Sequence, residues 1–397
     1  MVSPSNHEGK ITLNENAMLL VLNAGSSSIK FALYDLPLSG RARIEGQIAG
    51  IGRHPRFTIA GEEHAVPDAM PDHAAAIVRL LDWLEAEGHG RRLAGVGHRI
   101  VHGGTEFTQP TRLDGKIIEA LTKLAPLAPH HQPHNLAAIR ALAARLPKLP
   151  QIACFDTAFH AAMPAEARLL PLPAEFDERG LRRYGFHGLS YESIVTRLPA
   201  LTGRLPSRLV IAHLGNGASM CAVKDGHSIA TTMGFSTLDG LLMATRSGSI
   251  DPGVLLHLLR EGWTVAEVED LLYNRAGLLG LSGISADMKV LLESMDPAAS
   301  ATIAFYCYRI SRELGSLAAA LGGLDALVFT GGVGENAAPI RARVCRSAGW
   351  LGIAPDEAAN LAGAARLTLA DSPVSAWVVA TDEQGIIAAQ AARALES

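Results

Sequence analysis

The chain has 397 residues, 48% of them hydrophobic and 19% charged, with a formal net charge of −4. Such a composition describes a well-cored protein of about two or three domains rather than a disordered chain, and it carries no basic excess that would draw a nucleic-acid partner. The four cysteines (Cys154, Cys221, Cys307, Cys345) are scattered with no CxxC spacing, which reads as reduced thiols in a cytoplasmic protein and not as a disulfide framework.

Residues 1–17 are polar and lack the apolar core of a signal peptide, so they read as a loose extension. No run of about 18 apolar residues is free of a charge or clustered glycine, and no membrane span is expected. Strands are expected at 18–23, 29–35, 43–49 and 55–60. A helix over 72–87 ends at Gly88. The strand "LAGVGHRIVHGG" follows, then helices at 115–125 and 134–146, the second starting just after Pro133. "QIACFDTAFH" reads as a buried strand entering a functional loop. In the second half, "RLVIAHLGNGASMCAVKDGHSIATTM" reads as three strands joined by a Gly/Asn turn and by Asp225-Gly226. Helices near 252–261, 264–273 and 298–321 precede "LDALVFTGGVGENA", which reads as strand, glycine turn and helix. A last strand and helix complete the pattern.

Leu22-Asn23-Ala24-Gly25-Ser26-Ser27 and Leu214-Gly215-Asn216-Gly217-Ala218-Ser219 both interrupt an apolar strand with a small-residue turn. This weak repeat suggests a duplicated unit and hence two similar α/β domains. The first turn also has chemistry. Small residues let a backbone approach phosphates, serine hydroxyls donate to phosphate oxygens, Lys30 neutralises them, and Asn23 can position a hydrated Mg²⁺. A solvated hairpin with incidental serines is the plain alternative. GxxxxGK[ST] is absent and no clean GxGxxG occurs, so neither a P-loop nor a dinucleotide fold is expected. His130, His131 and His134 lack an HExxH or Cys/His pattern, so no zinc site is expected there.

Seven segments then narrow the reading: "LNAGSSSIKF", "GHRIVHGG", "ACFDTAFH", "RRYGFHG", "HLGNGAS", "TRSGSIDPG" and "FTGGVGEN". Together they resemble the signature segments of the acetate kinase family, within the acetate and sugar kinase/Hsc70/actin superfamily. The resemblance implies two domains of duplicated βββαβαβα type flanking an active-site cleft, divided as 18–165 with 381–397 and 166–380. It further implies ATP as substrate, Mg²⁺ (or Mn²⁺) as cofactor, and a homodimer with contacts in the second domain. The implied reaction is in-line attack of acetate on ATP to give acetyl phosphate and ADP. A carboxylate is already ionised at neutral pH, so positioning and charge neutralisation can suffice.

The resemblance also implies roles. Arg99 would hold the substrate carboxylate, and Arg246 would meet the phosphoryl in flight. His187 and His131 would face the transferring phosphoryl. Asp156 would transfer a proton or orient a neighbour; a helix cap is its plain alternative. Asn23 and Glu383 would support the metal, Glu383 standing in Asp382-Glu383-Gln384 where the family has Asn-Glu-Glu. Ser26, Ser28 and Lys30 would bind phosphates. His213, Leu214, Gly215, Asn216, Gly217, Asp287, Met288, Lys289, Gly332, Val333, Gly334, Glu335 and Asn336 would bind nucleotide, Lys289 replacing an arginine. Val101 and Phe186 keep the apolar lining of the acyl pocket. There His130 replaces a leucine and Thr237 a proline, and Ser190-Tyr191 replaces Ser-His after "FHG". A more polar pocket would weaken acetate binding and tolerate propionate or a hydroxy acid. A non-catalytic actin-like clamp would not need Arg99, Arg246, His187 and His131 together, and a sugar kinase would need a base for a neutral hydroxyl.

Overall fold

The computed structural model describes residues 16–66 and 70–396; most of the polar extension read over 1–17 lies outside the described residues. The chain divides into two compact units, Met1–Ala158 with Asp382–Ser397, and Phe159–Thr381. The division comes earlier than the 165/166 boundary read from sequence. His160 explains why: its ring nitrogens bond Ser228 Oγ (2.8 Å) and the Phe186 carbonyl (3.0 Å), so it is built into the second unit.

The first unit holds β1 (Met18–Ala24), β2 (Ser28–Asp35), β3 (Ile44–Ala49), β4 (Arg56–Ile59), β5 (Glu62–His64), β6 (Leu93–Ile100), β7 (Thr111–Arg112) and β8 (Gln151–Phe155). They form one sheet in the order β5-β4-β3-β2-β1-β6-β8-β7. β1 is antiparallel to β2 and parallel to β6, and β6 is parallel to β8. Met18–Leu22 is a continuous apolar run because β1 is covered on both faces. The helix His73–Ala86 starts at Asp72, whose carboxylate accepts from Ala75 N (2.9 Å). Its Ile77, Leu80 and Leu84 join Phe31, Phe57 and Trp83 in the core on one face.

The helix Glu383–Glu396 covers the other face of β6. It packs close because Gly95 and Gly97 point at it without side chains. A carbon on Gly97 would lie 2.8 Å from Ile387 Cγ2 and 3.0 Å from Ala391 Cβ. Arg99 is two residues further along the same face of β6, so this packing brings the first residue of the helix, Glu383, toward Arg99.

The second unit contains β9 (Arg208–Leu214), β10 (Ala218–Lys224), β11 (His227–Thr231), β12 (Ala326–Thr330) and β13 (Ser375–Val378), ordered β11-β10-β9-β12-β13. β9, β10 and β11 are antiparallel in sequence, and β12 runs parallel to β9 and β13. This repeats β3-β2-β1-β6-β8 of the first unit, in order and in strand direction. The duplicated α/β architecture expected from the two similar turns is present. The 25-residue helix Pro297–Leu321, capped by Asp296, packs on β9 and β10.

Candidate active site

In the first unit the side chains of interest collect at the carboxyl ends of the parallel strands β1, β6 and β8, where open α/β sheets place ligands. Asp156 follows β8, and its N–H donates to Ile100 O (2.9 Å). Its carboxylate, 1% exposed, receives Arg99 Nε at 3.2 and 3.1 Å and pairs with Arg99 Nη2. Arg99 Nη1 donates to Asn23 Oδ1 (3.3 Å), and Asn23 Nδ2 donates to Glu383 Oε2 (3.3 Å). Asn23, Arg99, Asp156 and Glu383 therefore form one hydrogen-bonded row. Burial disfavours the charge on Arg99, but the carboxylates of Asp156 and Glu383 outweigh it and raise its pKa above the ordinary value.

The hairpin between β1 and β2 is closed by Gly25 N donating to Ser28 O (2.8 Å), with Asn23 opposite Lys30 in register. Ser26 and Lys30 are exposed and Ser28 is half-buried. Two side chains not expected from sequence hold the backbone of this hairpin. Asn135 Nδ2 donates to Ala24 O (2.7 Å), and His73 Nε2 donates to Gly25 O (2.6 Å). Asn135 Oδ1 also accepts from Val101 N (3.1 Å), tying the hairpin to the end of β6. Val101 is buried. His131 is half-buried just before the helix Gln132–Arg145, and His130 is exposed in the preceding turn.

In the second unit, His187 initiates the helix Gly188–Arg197 from a left-handed conformation (φ 60°), which costs a non-glycine residue about 1–3 kcal/mol and is kept where surrounding contacts over-determine it. Phe186 is buried, and its carbonyl accepts from His160 Nε2. Burial pushes the His160 imidazole down to about 4, so it acts as a neutral donor. The His187 ring stacks on His213 (centroids 4.3 Å apart), and His213 Nδ1 bonds Ser190 Oγ (2.8 Å). His187 Nδ1 meets Ser219 Oγ on β10 at 2.7 Å.

The turn His213-Leu214-Gly215-Asn216-Gly217 gathers the other groups. A carbon on Gly217 would lie 3.3 Å from Arg246 Nη2 and 3.4 Å from His187 Nε2, so the bare glycine leaves both nitrogens beside one point. Arg246 Nη1 donates to Thr237 O (2.8 Å), placing Thr237 next to it through its backbone. A carbonyl does not neutralise a charge, and burial lowers the pKa of Arg246.

"GGVGEN" departs from the expected glycine turn. Gly331–Asn336 is helical directly after β12. Glu335 Oε1 accepts from Gly331 N (2.9 Å) and Thr381 N (3.3 Å), and buried Arg341 donates to the carbonyls of Gly334 (3.0 Å) and Glu335 (2.8 Å). These bonds override the poor helix propensity of the glycines. Gly332, Val333 and Asn336 lie on this short helix, where Asn336 Nδ2 donates to Gly332 O (2.8 Å). Asp287 caps the helix Met288–Glu293 by accepting from Lys289 N (2.8 Å). Met288 is buried and Lys289 exposed.

The description of the Acetokinase family matches residues 18–389. The chain belongs to the acetokinase family. An acetate kinase of Rhodopseudomonas palustris is 53% identical over 94% of this chain and 96% of its own length. An acetate kinase of Nitrobacter hamburgensis is 45% identical over 93% and 94%. Among solved structures, Porphyromonas gingivalis acetate kinase superposes with a TM-score of 0.87 at 35% identity, covering 96% of this chain and all of its own (100%). A propionate kinase from Francisella tularensis gives 0.89 at 33% identity, covering 94% and 98%. The family's actin/Hsc70-like ATPase fold accounts for the duplicated sheets.

The residues that sequence reasoning missed share one property. Asn135, His73 and Ser219 act on the backbone or ring of another candidate site residue from a distant part of the chain. Asn135 and Ala24 are 111 positions apart. No local spacing signals such a contact.

Proposed function

We infer that this acetokinase catalyses reversible phosphoryl transfer from ATP to acetate, giving ADP and acetyl phosphate. The observation that carries the reading is 53% identity to an acetate kinase over 94% of the chain. A carboxylate oxygen of acetate attacks the γ-phosphorus, the new O–P bond forms as the bond to the β–γ bridging oxygen breaks, and ADP leaves. No general base is required. In this reading Arg99 holds the acetate carboxylate and Asp156 orients Arg99. Arg246, His187 and His131 neutralise and donate to the phosphoryl oxygens. Ser26, Ser28 and Lys30 engage ATP phosphates, while the turn 213–217, Asp287 to Lys289 and 332–336 serve the nucleotide.

The donor set fits Mg²⁺, with Mn²⁺ as a substitute. Glu383 supplies a carboxylate, and the Asn23 amide orients it. Among the described residues no cluster of three or more His, Cys, Asp or Glu side chains could hold an ion. Mg²⁺ usually keeps several waters and is shared with substrate phosphates, so one or two protein carboxylates are enough to hold it. When bound, the ion supplies charge neutralisation at the phosphate oxygens. Trapping the product with hydroxylamine tests the reading: folded enzyme with acetate, ATP and Mg²⁺ forms acetyl hydroxamate, and omission of Mg²⁺ abolishes it. No hydroxamate under any carboxylate would sink it.

A second reading, a preference for another short carboxylate, is favoured by the superposition on a propionate kinase. Comparing kcat/KM for acetate, propionate and glycolate in wild type and His130→Leu decides it. An unchanged acetate-to-glycolate ratio leaves plain acetate.

A homodimer completes the proposal. The helix Pro252–Arg260 has no buried residue, and Val254, Leu256 and Leu259 are 41%, 52% and 42% exposed. A second copy of the chain would cover this apolar face. All four cysteines are buried thiols outside any disulfide, which supports residence in the reducing cytoplasm. Among the described residues no helix is long and apolar enough to cross a membrane.

A further inference from the structure

Behind the His187 ring runs a short chain of hydroxyls. His187 Nδ1 lies 2.7 Å from Ser219 Oγ, and Ser219 Oγ in turn bonds the Tyr191 hydroxyl. Tyr191 and Ser219 are both fully buried. Tyr191 is one turn along the helix that His187 starts, and Ser219 is on β10, so helix and strand together fix the distance between the three groups. The other nitrogen, Nε2, faces the point beside Gly217 that Arg246 Nη2 also faces.

A neutral imidazole carries its proton on one nitrogen, and the bond made by the other nitrogen decides which. Two polarities are available. In the first, Tyr191 donates to Ser219, Ser219 donates to Nδ1, and Nε2 carries the proton. In the second, Nδ1–H donates to Ser219 and Ser219 donates to the phenol oxygen. A phenol is a better donor than an aliphatic hydroxyl and a poorer acceptor, because its lone pair is delocalised into the ring. The second polarity would also turn a bare lone pair on Nε2 toward phosphoryl oxygens, which need donors.

We propose that Tyr191, acting through Ser219, is a positioning residue that holds His187 in the Nε2–H tautomer, so that the ring always presents a donor to the transferring phosphoryl. The backbone is secured separately, by His160 on the Phe186 carbonyl, so Tyr191 governs the protonation pattern and not the placement of the ring. The proposal rests on the reading of His187 as a phosphoryl contact.

The test is ¹⁵N NMR of histidine-labelled enzyme, which separates protonated from unprotonated ring nitrogens, combined with steady-state kinetics on Tyr191→Phe, Ser219→Ala and Ser219→Thr. In wild type, His187 shows an unprotonated Nδ1 and a protonated Nε2. Tyr191→Phe and Ser219→Ala each release this constraint and mix the tautomers. In both, kcat falls about tenfold or more while KM for ATP and acetate stays within about twofold. Ser219→Thr keeps the hydroxyl, the tautomer and the rate. Circular dichroism and melting curves confirm that each variant is folded, and Ser219→Ala stands in if Tyr191→Phe is not. A proton on Nδ1 in wild type, or an unchanged tautomer in both variants, overturns the proposal. So does a mixed tautomer with wild-type kcat, if His187→Ala is itself inactive. Wild-type turnover in His187→Ala removes the underlying reading instead, and it does so without touching the NMR result.

Discussion

Arg99 and Arg246 carry the same charge in opposite surroundings. Arg99 is locked to a buried carboxylate, whereas Arg246 meets a carbonyl. In the proposed mechanism each supplies a cation to the reaction, so replacing either with alanine should cost about 10²–10³ in kcat. Their stabilities should differ. Arg99→Ala strands Asp156 without its partner, and breaking a buried pair costs about 3–5 kcal/mol, so its urea midpoint should fall well below that of Arg246→Ala. Equal midpoints would contradict the buried pair. Both arginines stood out in sequence because each lies in a glycine-rich motif. Asp156 was open in sequence between a proton-transfer or orienting role and a helix cap, and its contact with Arg99 supports orientation. A second residue-scale consequence concerns acid. Burial pushes His98, His102 and His160 down to about 4 from an unfolded value near 6.5. The unfolded chain therefore binds more protons than the folded one between these values. The stability these neutral rings contribute is complete above about pH 6.5, falls as the pH drops toward 4, and levels off below. Urea unfolding at pH 7.5 and pH 5 should show the lower midpoint at pH 5; equal midpoints in the triple variant His98→Gln, His102→Gln, His160→Gln and in wild type at both pH values would exclude these groups as its cause.

At the scale of elements, the contact between β6 and the helix Glu383–Glu396 couples packing to chemistry. Gly97→Val would push a branched side chain against Ile387 and Ala391. Overpacking of this kind costs about 1–3 kcal/mol, and the helix must move away, taking Glu383 from Asn23. The variant should need more Mg²⁺ for half-maximal turnover, and an unchanged Mg²⁺ titration would separate this packing from the metal. Most strands were legible because apolar runs and turn residues mark them locally; β1, β2 and β9–β11 fall within a few residues of their expected limits. The helix Gly188–Arg197 was not anticipated. Its start is a histidine in a left-handed conformation inside "YGFHG", which offers none of the usual capping residues. "GGVGEN" was read as a turn for the complementary reason: its glycines favour a turn locally, and its helix is imposed by Glu335 and Arg341.

For the whole molecule, two units with the same central strand order make the duplication plain. The sequence held only a trace of it, in the paired turns at 22–27 and 214–219, since sheet order depends on contacts between segments far apart in the chain. The same holds for the earlier boundary at Ala158, set by His160. The exposed helix Pro252–Arg260 belongs to this scale as well. If a second copy covers it, Leu256→Arg should convert the dimer to a monomer in analytical ultracentrifugation, without unfolding the second unit. A wild-type monomer at micromolar concentration would remove the proposed dimer.

The first unit is discontinuous in the chain, and this bears on how the enzyme is made on the ribosome. After Ala158, about 220 residues of the second unit are translated before Asp382 appears. At about 5–20 residues per second this takes on the order of 10–45 s. Throughout that time Gly95 and Gly97 face no helix, and the sheet of the first unit exposes an apolar flank to chaperones. The second unit, continuous in sequence, can complete its own sheet meanwhile. Glu383 then arrives on the helix that seals the flank. The first unit thus lacks its closing helix until almost all of this sequence has emerged, and a message truncated before residue 382 would yield a product with a formed second sheet and an unsealed first one.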